Sequence, residues 1–410
     1  MSLGLISEDY VKLALYVGLY DSDFIDAYYG PEEWKPSAQV DTSATFPHEE
    51  LKWETIDLIA SLEELNIEDY DSMQMLRYKY LHKQLIAINT KLNMLAGELL
   101  PFDVESRSLY DAVTPHYDEE HYNKLLTELD QLLPGKGPLA ARYEVYSANF
   151  IIPSDKLDTV FKAAIKEARA RSIPHLDLPE NESFTIEYVT DKAWSGYNWY
   201  KGNGFSVIQL NTDFPIYIER AIDLACHEGY PGHHAYNAML EKKLVNEKGW
   251  YEFSVYPLFS PQSLIAEGSA NYGIEVAFPG NERRKFEKDV IFPLAGLNPE
   301  EVDRYYDIQD VRSKLDYAGN EAAKMYLNGS ISREKAAEWL VKYNLYSWDR
   351  ALQRTRFFDK YRSYVINYNY GKDLVRNYVE ANGGTDSNPE VRWEIFSRIL
   401  STPLTASILD

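Results

Sequence analysis

A chain of 410 residues, 45% of them hydrophobic, can bury a sizeable core. No apolar run approaches the ~20 residues that a membrane-spanning helix needs. A formal net charge of −22 argues against nucleic-acid partners, and a single cysteine, Cys226, excludes an intrachain disulfide and a thiolate metal cluster.

The N-terminal stretch MSLGLISEDYVKLALYVGLYDSD has no early basic cluster and is interrupted by acids, so it does not read as a signal peptide and a cytoplasmic location is expected. Residues 1 to about 130 read as helices. In DYVKLALYVGLY and DSMQMLRYKYLHKQLIAINTKLNML the apolar positions recur at three and four. LLPGKGP (132–138) is the clearest break and suggests an N-terminal helical region, 1–138, followed by a second region, 139–410. SDKLDTVFKAAIKEARARS reads as a helix capped by Ser154 or Asp155. FTIEYVT and FSVIQLN are short β-branched and aromatic runs, expected to pair as strands, with WSGYNWYKGNG between them as a turn. TDFPIYIERAIDLACHE reads as a helix capped by Thr212 or Asp213 with Pro215 in its first turn. The rest is helical almost to the end, SREKAAEWLVKYN most clearly. The fold class expected is mainly α with a small sheet. The 33 tyrosines have no single cause visible in the sequence.

ACHEGYPGHHAYN (225–237) holds three of the eight histidines. A histidine followed by glutamate, with a second histidine four residues after the first, is the helical signature of a zinc hydrolase, because both rings then share one face. Here His233 lies six residues after His227 and His234 seven. In an unbroken helix His233 would point ~120° away and His234 would sit about 10 Å along the axis, too far for one ion held at ~2.1 Å. Pro231 forbids an unbroken helix: it has no N–H, and its ring clashes with the carbonyl four residues back, that of His227. A bulge absorbing two residues puts His233 in the ligand position; one absorbing three puts His234 there. The bland reading is a helix end, with solvated histidines after a GYPG stop. His48-Glu49, the other His-Glu pair, has no histidine near enough downstream to act with it.

A third protein ligand is needed. SPQSLIAEGSANYGIEVAF offers Glu267, set among Ala266, Gly268, Ser269 and Ala270 where it is poorly placed for solvent, with Asn271 one turn on to orient a ligand imidazole. Glu275 is the competing carboxylate. Cys226, beside the motif, reads as a small buried residue.

HEGYPGHH followed by EGSANYG resembles the DUF885 family of zinc peptidases, which carries H-E-x-x-P-G-H-H and then E-G-W-A-x-Y. Ser269 replaces the tryptophan, and the family's C-terminal P-G-Q-A-x-x-Y-x-x-G survives only as Tyr368 and Gly371 in YRSYVINYNYG. The similarity spans roughly residues 190–380. It implies a zincin-like, mostly helical fold, distantly similar to the M32 carboxypeptidases. Dipeptidyl peptidase III, with a one-residue insertion in the motif, is a further analogy. The expected chemistry is a Zn²⁺-dependent peptidase in which His227, His233 and Glu267 hold the ion and Glu228 is the general base. Tyr368 is the candidate oxyanion donor, with Arg356 and Arg362 as possible neighbours. The partner is a peptide or small amide, laid by analogy along the strand FSVIQLN. A metallohydrolase of another amide or ester and a non-catalytic metal-binding scaffold are the alternatives.

Overall fold

The computed structural model describes residues 1–37, 46–192 and 194–410. The first part is helical: α1 (Leu3–Val17), α2 (His48–Glu63), α3 (Ser72–Leu95), α4 (Phe102–Tyr110), α5 (Glu119–Leu132), α6 (Leu139–Ser147) and α7 (Leu157–Ser172). The caps follow sequence chemistry. Ser2 accepts from the Leu5 N–H at 3.3 Å, and Asp71 with Gln74 forms a reciprocal capping box at the start of α3. α3 turns Tyr80, Leu81, Leu85, Ile88 and Leu92 inward, the stripe its spacing predicts. The LLPGKGP break falls between α5 and α6. One apolar core runs from Leu3 to Leu409 and takes in residues from both sides of that break. α7 starts at Leu157, and neither Ser154 nor Asp155 caps it.

Two small sheets are present among the described residues. β1 (Ile25–Tyr28) pairs antiparallel with β5 (Val255–Pro257), a strand that the sequence does not announce. The other sheet holds β2 (Ser183–Val189), β3 (Gly196–Tyr200) and β4 (Phe205–Asn211) in the order β2-β4-β3. The two expected strands do pair, but in parallel, and the expected turn between them contains β3, which returns antiparallel along β4. Glycine and asparagine disguise β3 in the sequence, while its aromatic residues suit a half-buried strand.

The helix expected from Thr212 begins only at Glu219, as α8 (Glu219–Leu224). Pro215 biases the residue before it toward extended backbone, and the chain that follows is pinned to residues 150–152. The Ile152 N–H donates to the Ile216 carbonyl and the Ile218 N–H to the Phe150 carbonyl, both at 2.9 Å. After the histidine motif come α9 (His233–Leu240), α10 (Pro261–Ala277), α11 (Asn281–Phe286), α12 (Phe292–Ala295), α13 (Val302–Ser313), α14 (Tyr317–Leu327), α15 (Arg333–Tyr343), α16 (Trp348–Tyr361), α17 (Ile366–Ala381), α18 (Pro389–Ile399) and α19 (Ala406–Leu409). α10 is the central helix, buried along nearly its whole length, and it packs most extensively on α17. That crossing is close because both helices present glycine. A methyl group on Gly268 would overlap the Gly371 carbonyl, and one on Gly371 would lie 2.8 Å from the Leu264 carbonyl oxygen.

Candidate metal centre

α8 does not end at the motif but widens into a π-helical turn, Ala225–Gly229, in which the Tyr230 N–H reaches the Ala225 carbonyl at 3.1 Å. The chain then leaves the helix, and the Gly232 N–H donates to the Cys226 carbonyl at 2.9 Å. Gly232 sits so close to the carbonyls of Cys226 and His227 that any side chain there would collide with them. α9 restarts at His233. The break that Pro231 demands is therefore a wide turn followed by a tight reversal, and it sets His233 beside His227. π-turns of this kind concentrate at functional sites.

The two imidazoles stand nearly perpendicular, with ring centroids 4.6 Å apart and Nε2 atoms 3.1 Å apart. Glu267 Oε2, from α10, lies 3.2 Å from His227 Nε2 and 3.7 Å from His233 Nε2. Ligands at ~2.1 Å around a tetrahedral ion are separated by about 3.4 Å, so the three atoms lie close to one face of such a tetrahedron. Glu267 Oε2 is buried and has no hydrogen-bond partner, while Oε1 accepts from the Tyr364 hydroxyl at 2.8 Å. A buried carboxylate oxygen left unpaired costs stability unless something else meets it. His227 Nδ1 is 3.2 Å from Asn271 Oδ1, and Asn271 Nδ2 donates to the Tyr368 carbonyl at 3.1 Å. The residues fit a zinc ion: two imidazole nitrogens and a carboxylate oxygen, oriented by outer partners, with His227, His233 and Glu267 all on the wall of a cleft of about 2560 Å³.

The electrostatics agree with that fit. For Glu267 the largest influence is burial, which raises its pKa; the imidazoles of His227 and His233 close to Oε2 outweigh it and hold the carboxyl well below the usual range. For His233, burial favours the neutral ring, but Glu267, Glu228 and Asp26 together push its pKa up to about 9.

His234 is not near the ion's place. It is fully buried, with Nδ1 2.8 Å from Ser206 Oγ and Nε2 3.0 Å from Glu182 Oε2, so both nitrogens are spoken for. Glu275 is likewise taken up elsewhere, paired with Lys372 and Arg376 at 2.6 Å each. Cys226 is buried, and burial drives its thiol pKa far upward.

Glu228 is buried against β3. A methyl group on Gly196 would lie 2.9 Å from Glu228 Oε1 and 2.8 Å from Leu224 Cδ2, and Asn198 donates to the Glu228 carbonyl at 2.8 Å. β3 is an edge strand, and Gly196, Tyr197, Asn198 and Trp199 line the cleft. FSVIQLN, expected beside the cleft, is instead the central strand, and only Asn211 of it reaches the wall. Tyr368 lines the cleft and packs edge-on to Tyr364 at 5.7 Å. Arg356 is exposed on the cleft wall. Arg362 is structural: its guanidinium donates to Glu105 at 2.6 Å and to the Leu100 carbonyl at 3.3 Å.

Two residues escape the sequence reading. Tyr364 lies one helical turn before Tyr368, and that spacing is the signal that could have found it. Asp26 arrives from the N-terminal region on β1, where the register slips between Ile25 and Ala27, and it accepts from the Tyr197 hydroxyl. A bulge re-aims a side chain, here into the cleft. Burial is the main reason that the Asp26 carboxyl is raised to about 6.

Fold and donor set together define a mainly helical protein with a candidate His-His-Glu metal centre. No family model matches the chain, and no curated protein matches it. Among solved structures it is similar to the "putative lipoprotein from Colwellia psychrerythraea", at a TM-score of 0.57 and 14% identity, over 92% of this chain and 70% of that one. A second similar structure is "a putative lipoprotein of unknown function from Shewanella oneidensis", at a TM-score of 0.46 and 14% identity, over 88% and 72%. The first likeness supports the fold. Among the described residues no helix is long and apolar enough to cross a membrane.

Proposed function

We propose that the chain is a zinc-dependent hydrolase acting on peptide bonds, with His227, His233 and Glu267 as the ligands. The observation that carries the reading is the near-tetrahedral spacing of 3.1, 3.2 and 3.7 Å among three donor atoms, one of them an otherwise orphaned carboxylate oxygen. A zinc ion held there supplies Lewis acidity to a substrate carbonyl and acidifies water. Glu228, next to His227 and fixed by Gly196 and Asn198, takes the proton of the attacking water and returns it to the leaving amine. Tyr368 is the donor to the negative charge that develops on the carbonyl oxygen. Burial, then the charge of Glu267, hold its phenol far above its ordinary pKa, so it keeps its proton at working pH. The free edge of β3 offers an extended peptide backbone a partner strand.

The test pairs metal content with rate. Glu228→Gln should bind one zinc per chain and lose at least ~10²–10⁴-fold in peptide hydrolysis. Loss of zinc in that variant would make Glu228 a ligand. Wild-type, zinc-loaded protein that cleaves esters but no member of a peptide panel would move the substrate to another acyl class.

A further inference from the structure

On a molecule with a formal net charge of −22, an arginine without a carboxylate partner is conspicuous. Six arginines of the cleft wall have one. Arg220 and Arg283 pair with Asp223, Arg284 with Asp307 and Asp310, Arg312 with Asp316, Arg376 with Glu275, and Arg392 with Asp386. Three cleft arginines have no side-chain ion pair or side-chain hydrogen bond among the described residues, and all three lie on α16: Arg350, Arg354 and Arg356. Arg350 and Arg354 are one helical turn apart, an arrangement of like charges that is unfavourable unless an anion sits between or beside them.

Arg354 is the one placed to matter. It is half-buried, and its guanidinium stacks on the Phe357 ring at 4.2 Å. Stacking occupies the face of the group and leaves its N–H edge free, the edge that matches two carboxylate oxygens. It lies on the Tyr368 side of the cleft: the Phe357 ring it stacks on packs in turn against Tyr368, with ring centroids 6.5 Å apart.

Resting on the hydrolase reading above, we propose that Arg354 seats a carboxylate of the substrate. The substrate class is then peptides that carry an anionic group close to the scissile bond. The carboxylate is either the chain's own C-terminus or an acidic side chain; both present the same two oxygens.

The test is binding, so that it does not depend on turnover. N-acetylphenylalanine, its amide, and an N-acetylglutamate α-amide are titrated calorimetrically into the full chain, with zinc and after chelation. The free acid should bind and the phenylalanine amide should not. Arg354→Ala should weaken the acid by about 10–100-fold, the range for a hydrogen bond to a charged group. Arg354→Lys should fall between the two, and circular dichroism should show both variants folded. Binding of the glutamate α-amide alone keeps the subsite and assigns it to an acidic side chain. Equal binding of acid and amide, no effect of Arg354→Ala, or tighter binding of inorganic phosphate would overturn the proposal. If binding depends on Arg354 but no zinc is held, the hydrolase reading fails while the carboxylate site stands.

Discussion

The Tyr364 hydroxyl donates to Glu267 Oε1 at 2.8 Å and so leaves Oε2, the oxygen nearer both histidines, as the free one. The bond fixes which carboxylate oxygen meets the ion. Tyr364→Phe should keep the fold and weaken zinc affinity by about 10–100-fold, as loss of an outer partner does. Competition with a chromogenic chelator measures it. Unchanged affinity would mean that the α10–α17 packing alone orients Glu267.

Zinc loading should release protons. His233 without metal is pushed up to about 9, so at pH 7 it carries a proton that must leave before its nitrogen can bind. Affinity should therefore fall as pH falls below 9, by about tenfold per unit for one proton. Calorimetry in buffers of different ionisation enthalpy at pH 7.5 should give about one proton per zinc. Affinity that is flat between pH 6 and 8 would contradict this.

The glycine crossing that joins α10 to α17 should tolerate no methyl group. Gly371→Ala forces a contact of 2.8 Å with the Leu264 carbonyl oxygen and should cost about 1–3 kcal/mol in urea unfolding. Because Tyr364 and Tyr368 enter from this side, zinc affinity should fall as well. Full stability in the variant would show that the helices can separate freely here.

Much of the site was legible because proline and glycine have few options. Pro231 had to break the helix, and the break delivers His233 to His227; Glu267 and Asn271 stood one turn apart on a buried helix. What stayed hidden depends on partners distant in sequence. His234 is held by Ser206 and Glu182, β3 exists because β4 is beside it, and Asp26 comes from a segment 171 residues before its partner Tyr197. The abundance of tyrosine also acquires a cause. Tyr364, Tyr197, Tyr200, Tyr230 and Tyr306 each donate a phenol to a carboxylate, on Glu267, Asp26, Glu241, Glu182 and Glu287 respectively. An acid-rich chain that buries some of its acids needs donors that carry no charge of their own.

Glu287 gives a stability prediction with a definite sign. Burial is the main reason that its carboxyl is raised to about 7, against Arg283 and Tyr306, which favour the charge. Unfolded, it ionises near 4.5. Between those values the folded state binds the more protons, so this group's contribution to stability falls as pH rises, by at most about 1.4 kcal/mol per unit, and the penalty is complete above pH 7. Glu287→Gln should be more stable than wild type at pH 8 and lose that advantage by pH 5. The opposite trend in urea midpoints would show that the ion pair with Arg283 dominates.

The most direct test of the centre is anomalous scattering at the zinc absorption edge from a crystal of zinc-loaded protein. A single peak is expected about 2.1 Å from His227 Nε2, His233 Nε2 and Glu267 Oε2, with His234 still on Ser206 and Glu182. A peak bound by His234 or Glu228, or no peak in that corner of the cleft, would contradict it.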